Sequence, residues 1–369
     1  MAIISSPFRR LRKVNVETRI TLTMDAPPVQ YVTTSDGYSI ASAVSGEGRN
    51  FIYTGGPISH IQLYWTADTF LRPWLHGLAE RFHLVQYDGR GKGMSQRGLS
   101  GDFSVQDDVR DLEAVVGRLG LERFVLHGLE VFAHTSVRYA LAHPERVEAL
   151  VLHIPTATAP DSTWLSTVAA QDWEMFLDVA VGFAAGPSTH LAEFESRRRA
   201  RERVRQTTTQ TDYLIRRRAW ASSNAEAELA RLRTPTLVLY PRDVNSLTRQ
   251  EDSMKVASLI PNARLVLIDG ASAMGDANQG LTAIDDFLAS LPPREEHPPA
   301  TSSPSPAGLS AREVEVLRLV AAGRSNQQIA DELVISRNTV RRHVSNVFDK
   351  TGVANRTEAS VYARDHGIA

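Results

Sequence analysis

The sequence predicts an α/β sandwich with an inserted helical cap, followed by a small all-α module. Three observations predict it. Short apolar runs alternate with helical segments up to about residue 290, an aromatic and basic helical stretch interrupts that rhythm, and a Pro-rich segment precedes a tail whose period stays helical.

A chain of 369 residues, 42% hydrophobic and 22% charged, is long enough for two domains and one large core. Its formal net charge of -1 argues against a uniformly basic nucleic-acid binder, so any such surface must be local. The absence of cysteine excludes disulfides, thiolate catalysis and cysteine-based zinc sites, and points to a reducing cytoplasm. No apolar run approaches the roughly 18 residues of a membrane span, so no membrane partner is expected. Arg9, Arg10, Arg12 and Lys13 form a basic cluster without the apolar stretch of a secretory signal. Residues 1–24 are expected to be a disordered leader, with Met24 the candidate start.

VQYVTTSDG and YSIASAV predict an opening hairpin that turns at Ser35, Asp36 and Gly37. FIYTGG, HLVQYDGRG, RFVLHG, EALVLHI and TPTLVLY suit strands of a parallel sheet buried on both faces. VQDDVRDLEAVVGRLG and VRYALAHPERV supply helices between them, which places functional loops at the carboxyl ends of the strands. Residues 157–230 form the expected cap, rich in aromatics: Trp164, Trp173, Phe176, Phe183, Tyr213 and Trp220. Its basic run at 195–205 is expected to be a solvated face with arginines paired to Glu193, Glu195 and Glu202. The organisation that follows is a sensor-sized domain at 25–290, a Pro-rich linker at 291–308 and a small domain at 309–369.

FVLHGLEVFAH at 124–134 reads as a buried strand, a sharp turn and a helix, with Glu130 at the apex. With TGGP at 54–57, YDGRGKGMS at 87–95, TPTLVLYPRDV at 234–244 and ARLVLIDGASAMGD at 263–276, the large domain resembles the α/β-hydrolase family. That resemblance implies a G-x-S-x-G elbow with a serine nucleophile, an acid and a histidine. Gly128 keeps its place, whereas Glu130 stands for the serine and Phe132 for the second glycine. Val244 stands at the acid position, with Asp243 one residue early, and Ala273 at the histidine position. A pseudo-hydrolase is therefore expected, with no catalytic residues and no cofactor.

Such a shell could still bind a small molecule. The candidates are the amides near Gly55, Gly56 and Val131, the Glu130 carboxylate, His153, and Trp164 and Trp173 as walls. One alternative is an active hydrolase using Glu130 as nucleophile, with His127, His134 or His153 in a rearranged site. The other is a shell used only for dimerisation. The isolated His60 and His190 do not suggest a metal site.

In the tail, Val316, Leu317, Leu319 and Val320 make an apolar face ending at Gly323, and Ser325 is a natural N-cap for the next helix. Val340, Val344 and Val347 form the buried stripe of RNTVRRHVSNVFDK, leaving a polar, basic free face. Two short helices with that character form a helix-turn-helix. LSAREVEVL, GRSNQQIADEL, ISRNTVRRHVSNVFDKTGV and NRTEA resemble the LuxR-type (GerE-like) DNA-binding domain. The resemblance implies base reading by Arg341, Arg342 and Ser345. Ser325, Asn338, Thr339, His343, Asn346 and Lys350 are then expected as phosphate contacts or support. Double-stranded DNA, an unknown small-molecule ligand and a second copy of the chain are the expected partners, with RNA polymerase a further one. The expected function is ligand-responsive transcription regulation.

Overall fold

The structure is a computed structural model describing residues 26–56, 58–66, 71–185, 194–244, 246–292, 309, 311–332 and 337–368. The expected leader, residues 293–308 of the expected linker, His190, Glu193 and the side chains of Phe183 and Glu195 lie outside the described residues.

Eight strands build one mixed sheet: β1 (Val29–Thr33), β2 (Ser39–Ser45), β3 (Arg49–Thr54), β4 (Phe82–Asp88), β5 (Phe124–Leu129), β6 (Val147–His153), β7 (Thr236–Pro241) and β8 (Ala263–Ile268). Their order is β1-β2-β4-β3-β5-β6-β7-β8. β2 is antiparallel to both β1 and β4, and the remaining pairs are parallel. The hairpin forms as expected, because Gly37 takes a left-handed φ of 94° that closes the turn.

Alternate residues of each central strand feed opposite layers, as the pleat requires. Ile52, Val85, Leu126, Leu150 and Val238 enter one core with Val109, Leu112 and Val137 of the helices Val105–Leu119 and Ala133–Ala142. Phe51, Leu84, Val125, Val151 and Leu237 enter the other with Trp74 and Leu281 of the helices Arg72–Ala79 and Ala277–Ser290. Burial on both faces explains why these strands read as continuous apolar runs. The helix Val105–Leu119 starts where Asp107 accepts from the Ser104 amide at 2.7 Å, and stops at Gly120 with φ 64°.

Between β6 and β7 the chain makes the helices Thr163–Gln171, Trp173–Ala185, Phe194–Thr207, Gln210–Ala221 and Glu226–Arg231, which together form the cap. The basic run pairs mostly across helices: Arg201 reaches Glu174 and Asp178, and Arg205 reaches Glu174 as well as Glu202 of its own helix.

The small domain has four helices, Ala311–Ala321, Asn326–Glu332, Arg337–Thr351 and Arg356–Asp365, around a core of Val316, Leu317, Ile329, Val340, Val347 and Ala363. Gly323, with φ 77°, ends the first helix. The hydroxyl of Ser325 accepts from the Gln328 amide at 3.2 Å, which caps the second. Asn355 caps the fourth by accepting from the Glu358 amide at 3.0 Å.

Candidate functional site

The turn after β5 is an elbow in backbone as well as sequence. Glu130 has φ 52°, one of two non-glycine residues with positive φ among those described. A side chain in that region costs about 1–2 kcal/mol, so surrounding packing must hold it there. Gly128 permits the approach: a Cβ there would lie 2.8 Å from the Ala133 Cα and 2.9 Å from the Ser136 Oγ. The other positive φ, 40° at Ile154, follows β6 on the neighbouring strand end. Strain is therefore concentrated along the carboxyl edge of two adjacent central strands.

Glu130 is partly buried, and no hydrogen bond or ion pair reaches its carboxylate among the described residues. Burial pushes its pKa up, opposed by the positive charge of Arg217 on the cap helix Gln210–Ala221. Gly55, Gly56 and Val131, whose amides are the candidates from sequence, are all buried, and a Cβ at Gly56 would lie 3.1 Å from the side chain of Leu129, which precedes the apex.

The space in front of the elbow is filled from within. Phe132 packs edge-on to Trp220 with ring centroids 4.0 Å apart. The Lys92 ammonium sits 4.0 Å from the Phe132 centroid and donates to the Gly56 carbonyl at 3.2 Å. Burial pushes Lys92 down to about 7, with Arg216 acting in the same direction and Asp108 against it. The cavity bounded by Thr54, Gly55, Lys92, Asp108, Phe132 and Thr135 has a volume of about 10 Å³, the size of one water. Lys92 was missed in the sequence reading. Its position between the glycines of GRGKG, where the chain must pass close to the TGGP loop, was the available signal.

The cap is clamped onto this edge by buried charge. Arg216 donates to Asp108 at 2.5 Å, with side chains 4% and 6% exposed, and Trp220 Nε1 donates to Asp108 at 3.2 Å. Asp212 accepts from the Leu99 amide at 2.7 Å. Arg90 beneath them bridges Asp36, Asp107 and Asp111.

The remaining expected residues are dispersed. His153 is fully buried, 4.8 Å from Trp74 and within 3.3 Å of His127, whose ring stacks on Tyr53. Burial keeps both imidazoles neutral by lowering their pKa, to about 3 for His153. His134 is held between the Ser223 hydroxyl at 2.7 Å and the Thr156 carbonyl at 2.8 Å. Among the described residues no hydrogen bond links any of the three to Glu130. Trp164 is 46% exposed, and Trp173 stacks on Phe176 at 4.7 Å within the cap. Val244 and Ala273 pack at the margin of the core that contains Trp74, and Asp243 is exposed. No group of three metal-ligating side chains occurs among the described residues.

In the small domain the helix Arg337–Thr351 turns Val340 and Val347 inward and leaves Arg341 and Ser345 exposed. His343 and Asn346 are half-buried, and the side chains of Asn338, Thr339 and Arg342 lie outside the described residues. Lys350 donates to Glu313 at 2.7 Å, and the Glu313 side chain is only 4% exposed. Lys350 thus ties the helix Arg337–Thr351 to the first helix of the domain, a role that two residues so far apart in sequence do not announce.

Comparisons with known proteins agree with both geometries. Residues 63–275 match the family described as alpha/beta hydrolase fold, and residues 307–363 match the bacterial regulatory proteins of the luxR family. The "Putative carbamate hydrolase RutD" of Pseudomonas syringae pv. syringae is 29% identical over 271 residues, 69% of this chain and 93% of that protein. The transcriptional regulatory protein LiaR of Bacillus subtilis is 46% identical over 59 residues, 16% of this chain and 28% of LiaR. In solved structures, a hydrolase from Pseudomonas aeruginosa superposes with a TM-score of 0.61 at 22% identity, covering 72% of this chain and 100% of that one. The enol-lactonase of Burkholderia xenovorans gives 0.60 at 18% identity, covering 71% and 100%. These structures share the fold. The chain belongs to the alpha/beta hydrolase fold family, and it joins that domain to a LuxR-type helix-turn-helix that implies DNA binding.

Proposed function

We propose that this protein is a cytoplasmic, homodimeric transcription regulator in which residues 25–290 form a non-catalytic shell that senses a small molecule. Residues 291–308 link it to the DNA-binding domain at 309–369. The observation that carries the reading is the elbow itself. Its backbone keeps the left-handed apex at φ 52°, yet the apex side chain is Glu130 and no imidazole hydrogen-bonds to it among the described residues. An ester formed on a carboxylate needs a base to activate water. Among the described residues the hydrogen bonds of His127, His134 and His153 run to other groups and none to Glu130, which favours recognition over turnover.

Arg341 and Ser345 face solvent on the reading helix, where guanidinium and hydroxyl groups suit base edges and phosphates. A ligand shifts such a regulator only by binding its two arrangements with different affinity. Ester and epoxide panels offered to the full chain should give no turnover above buffer. Product formation that disappears in Glu130→Ala would replace this reading with that of an active hydrolase. Selection of bound duplexes from a random pool should return a defined sequence, and that selection should fail for Arg341→Ala.

A further inference from the structure

At the amino ends of β3, β5 and β6, the edge of the sheet opposite the elbow, lies an open cavity of about 580 Å³. That volume is within the roughly 300–1,000 Å³ of small-molecule sites. Gly48, Arg49, Asn50, Gly120, Arg123 and Glu148 bound it, and with Glu122 every lining residue is polar, charged or glycine. A break in register shapes it. Phe124 pairs with Val147 and Val125 with Ala149, so Glu148 is the extra residue of a β-bulge, a device that re-aims a side chain. The Glu148 carboxylate meets Arg49 of β3 at 3.6 Å and Arg123, just before β5, at 3.8 Å. Its side chain is 12% exposed, whereas those of the two arginines are 43% and 42% exposed. Asn50 ties the two strand ends together by donating to the Arg123 carbonyl at 2.9 Å. Both pairs with Glu148 are longer than a hydrogen bond, and neither guanidinium donates a hydrogen bond among the described residues.

We propose that this cavity binds a small zwitterion, a free α-amino acid with a polar side chain. Arg49 and Arg123 hold its carboxylate, and Glu148 with Glu122 holds its ammonium. Two guanidinium forks with unused donors suit a carboxylate, which accepts paired hydrogen bonds. The recessed carboxylate between them suits an ammonium, which only donates. The lining carries two cations and two anions, so a molecule that bears both signs meets its complement at each end. A simple anion would face Glu122 and Glu148, and a simple cation would face Arg49 and Arg123. An apolar molecule would find no apolar wall to bury against. The cavity before the elbow, with room for one water, has no space for such a molecule. The site stands independently of the sensor reading, because its residues and its edge of the sheet are not those of the elbow.

Calorimetric titration of the full chain with L-glutamine, N-acetyl-L-glutamine, L-glutaminamide and L-norleucine separates the contributions. L-Glutamine should bind saturably. N-Acetyl-L-glutamine, lacking the ammonium, and L-glutaminamide, lacking the carboxylate, should each bind about tenfold more weakly or worse. L-Norleucine, with an apolar side chain, should also bind more weakly than L-glutamine. Arg123→Gln should weaken L-glutamine about tenfold and leave L-glutaminamide unchanged. Glu148→Gln should weaken L-glutamine and leave N-acetyl-L-glutamine unchanged. Unchanged circular dichroism spectra would show that both variants fold. No saturable binding of L-glutamine, equal affinity for the four probes, or variants that bind L-glutamine like the parent would overturn this inference and leave the sensor reading standing. The sensor reading falls on a different result, Glu130-dependent turnover.

Discussion

The elbow after β5 buries Val131 and Phe132, whereas the helix Arg337–Thr351 leaves Arg341 and Ser345 exposed. At the elbow, Val131 and Phe132 are 7% and 4% exposed, and their neighbours Lys92 and Trp220 are consumed in filling the space before the turn. On the helix, the valine stripe and Phe348 pack on the core, and Arg341 and Ser345 stay in water. The first region keeps a shape and spends its side chains on packing. The second spends the minimum on packing and keeps its side chains available. Exposed side chains can be read from a helical period, whereas side chains consumed in packing show only in three dimensions.

The sharpest way to break this contrast is to unclamp the cap. Asp108→Ala leaves Arg216 buried without its partner, which should cost about 3–5 kcal/mol, measured by urea unfolding. A variant as stable as the parent would mean that the cap is held by something else.

Lys92 offers a test with a sign. Its pKa falls in the folded state from 10.5 to about 7. Between those values the unfolded chain holds a proton that the folded chain has released, so stability should rise with pH through that window. The slope should reach about 1.4 kcal/mol per pH unit, and Lys92→Met should flatten it. A parent whose urea midpoint does not move between about pH 7 and about pH 9 would contradict the assignment.

On the exposed side, Arg341→Ala should weaken specific DNA binding by about 1–3 kcal/mol at matched salt, read by fluorescence anisotropy, with no loss of thermal stability. Lys350→Ala should behave differently and lower the melting temperature of the small domain, because the buried Glu313 carboxylate loses the ammonium 2.7 Å from it. Equal melting temperatures would return Lys350 to a role in phosphate contact alone. The smallest effect is expected at Arg205→Ala, whose pairs with Glu174 and Glu202 are exposed and contribute less than about 1 kcal/mol.

Much of the architecture was legible because its physics is local. FIYT, HLVQYD, FVLHG and TLVLY each fall within an observed strand, and the Ser35-Asp36-Gly37 turn closes the hairpin. The stop at Gly323 and the cap at Ser325 were equally readable. The elbow was visible in Gly128 and in the spacing of its neighbours. What escaped was whatever depends on distant pairing. Nothing near Lys92 announces Phe132 as its ring, and Asp108 and Arg216 meet across the whole insertion that makes the cap. The expected partners of the basic run illustrate the same limit. Of Glu193, Glu195 and Glu202, only Glu202 is among the described side chains, and it shares Arg205 with Glu174 of another helix.

The filled elbow also limits what a single substitution could do at this edge. A serine placed at 130 would inherit a main chain already bent to receive it, yet no imidazole there would hydrogen-bond to it, since the bonds of His127, His134 and His153 run to other groups among the described residues. Phe132 and Lys92 would still pack against each other beside it. A nucleophile built here would therefore take several changes made together, each without effect alone.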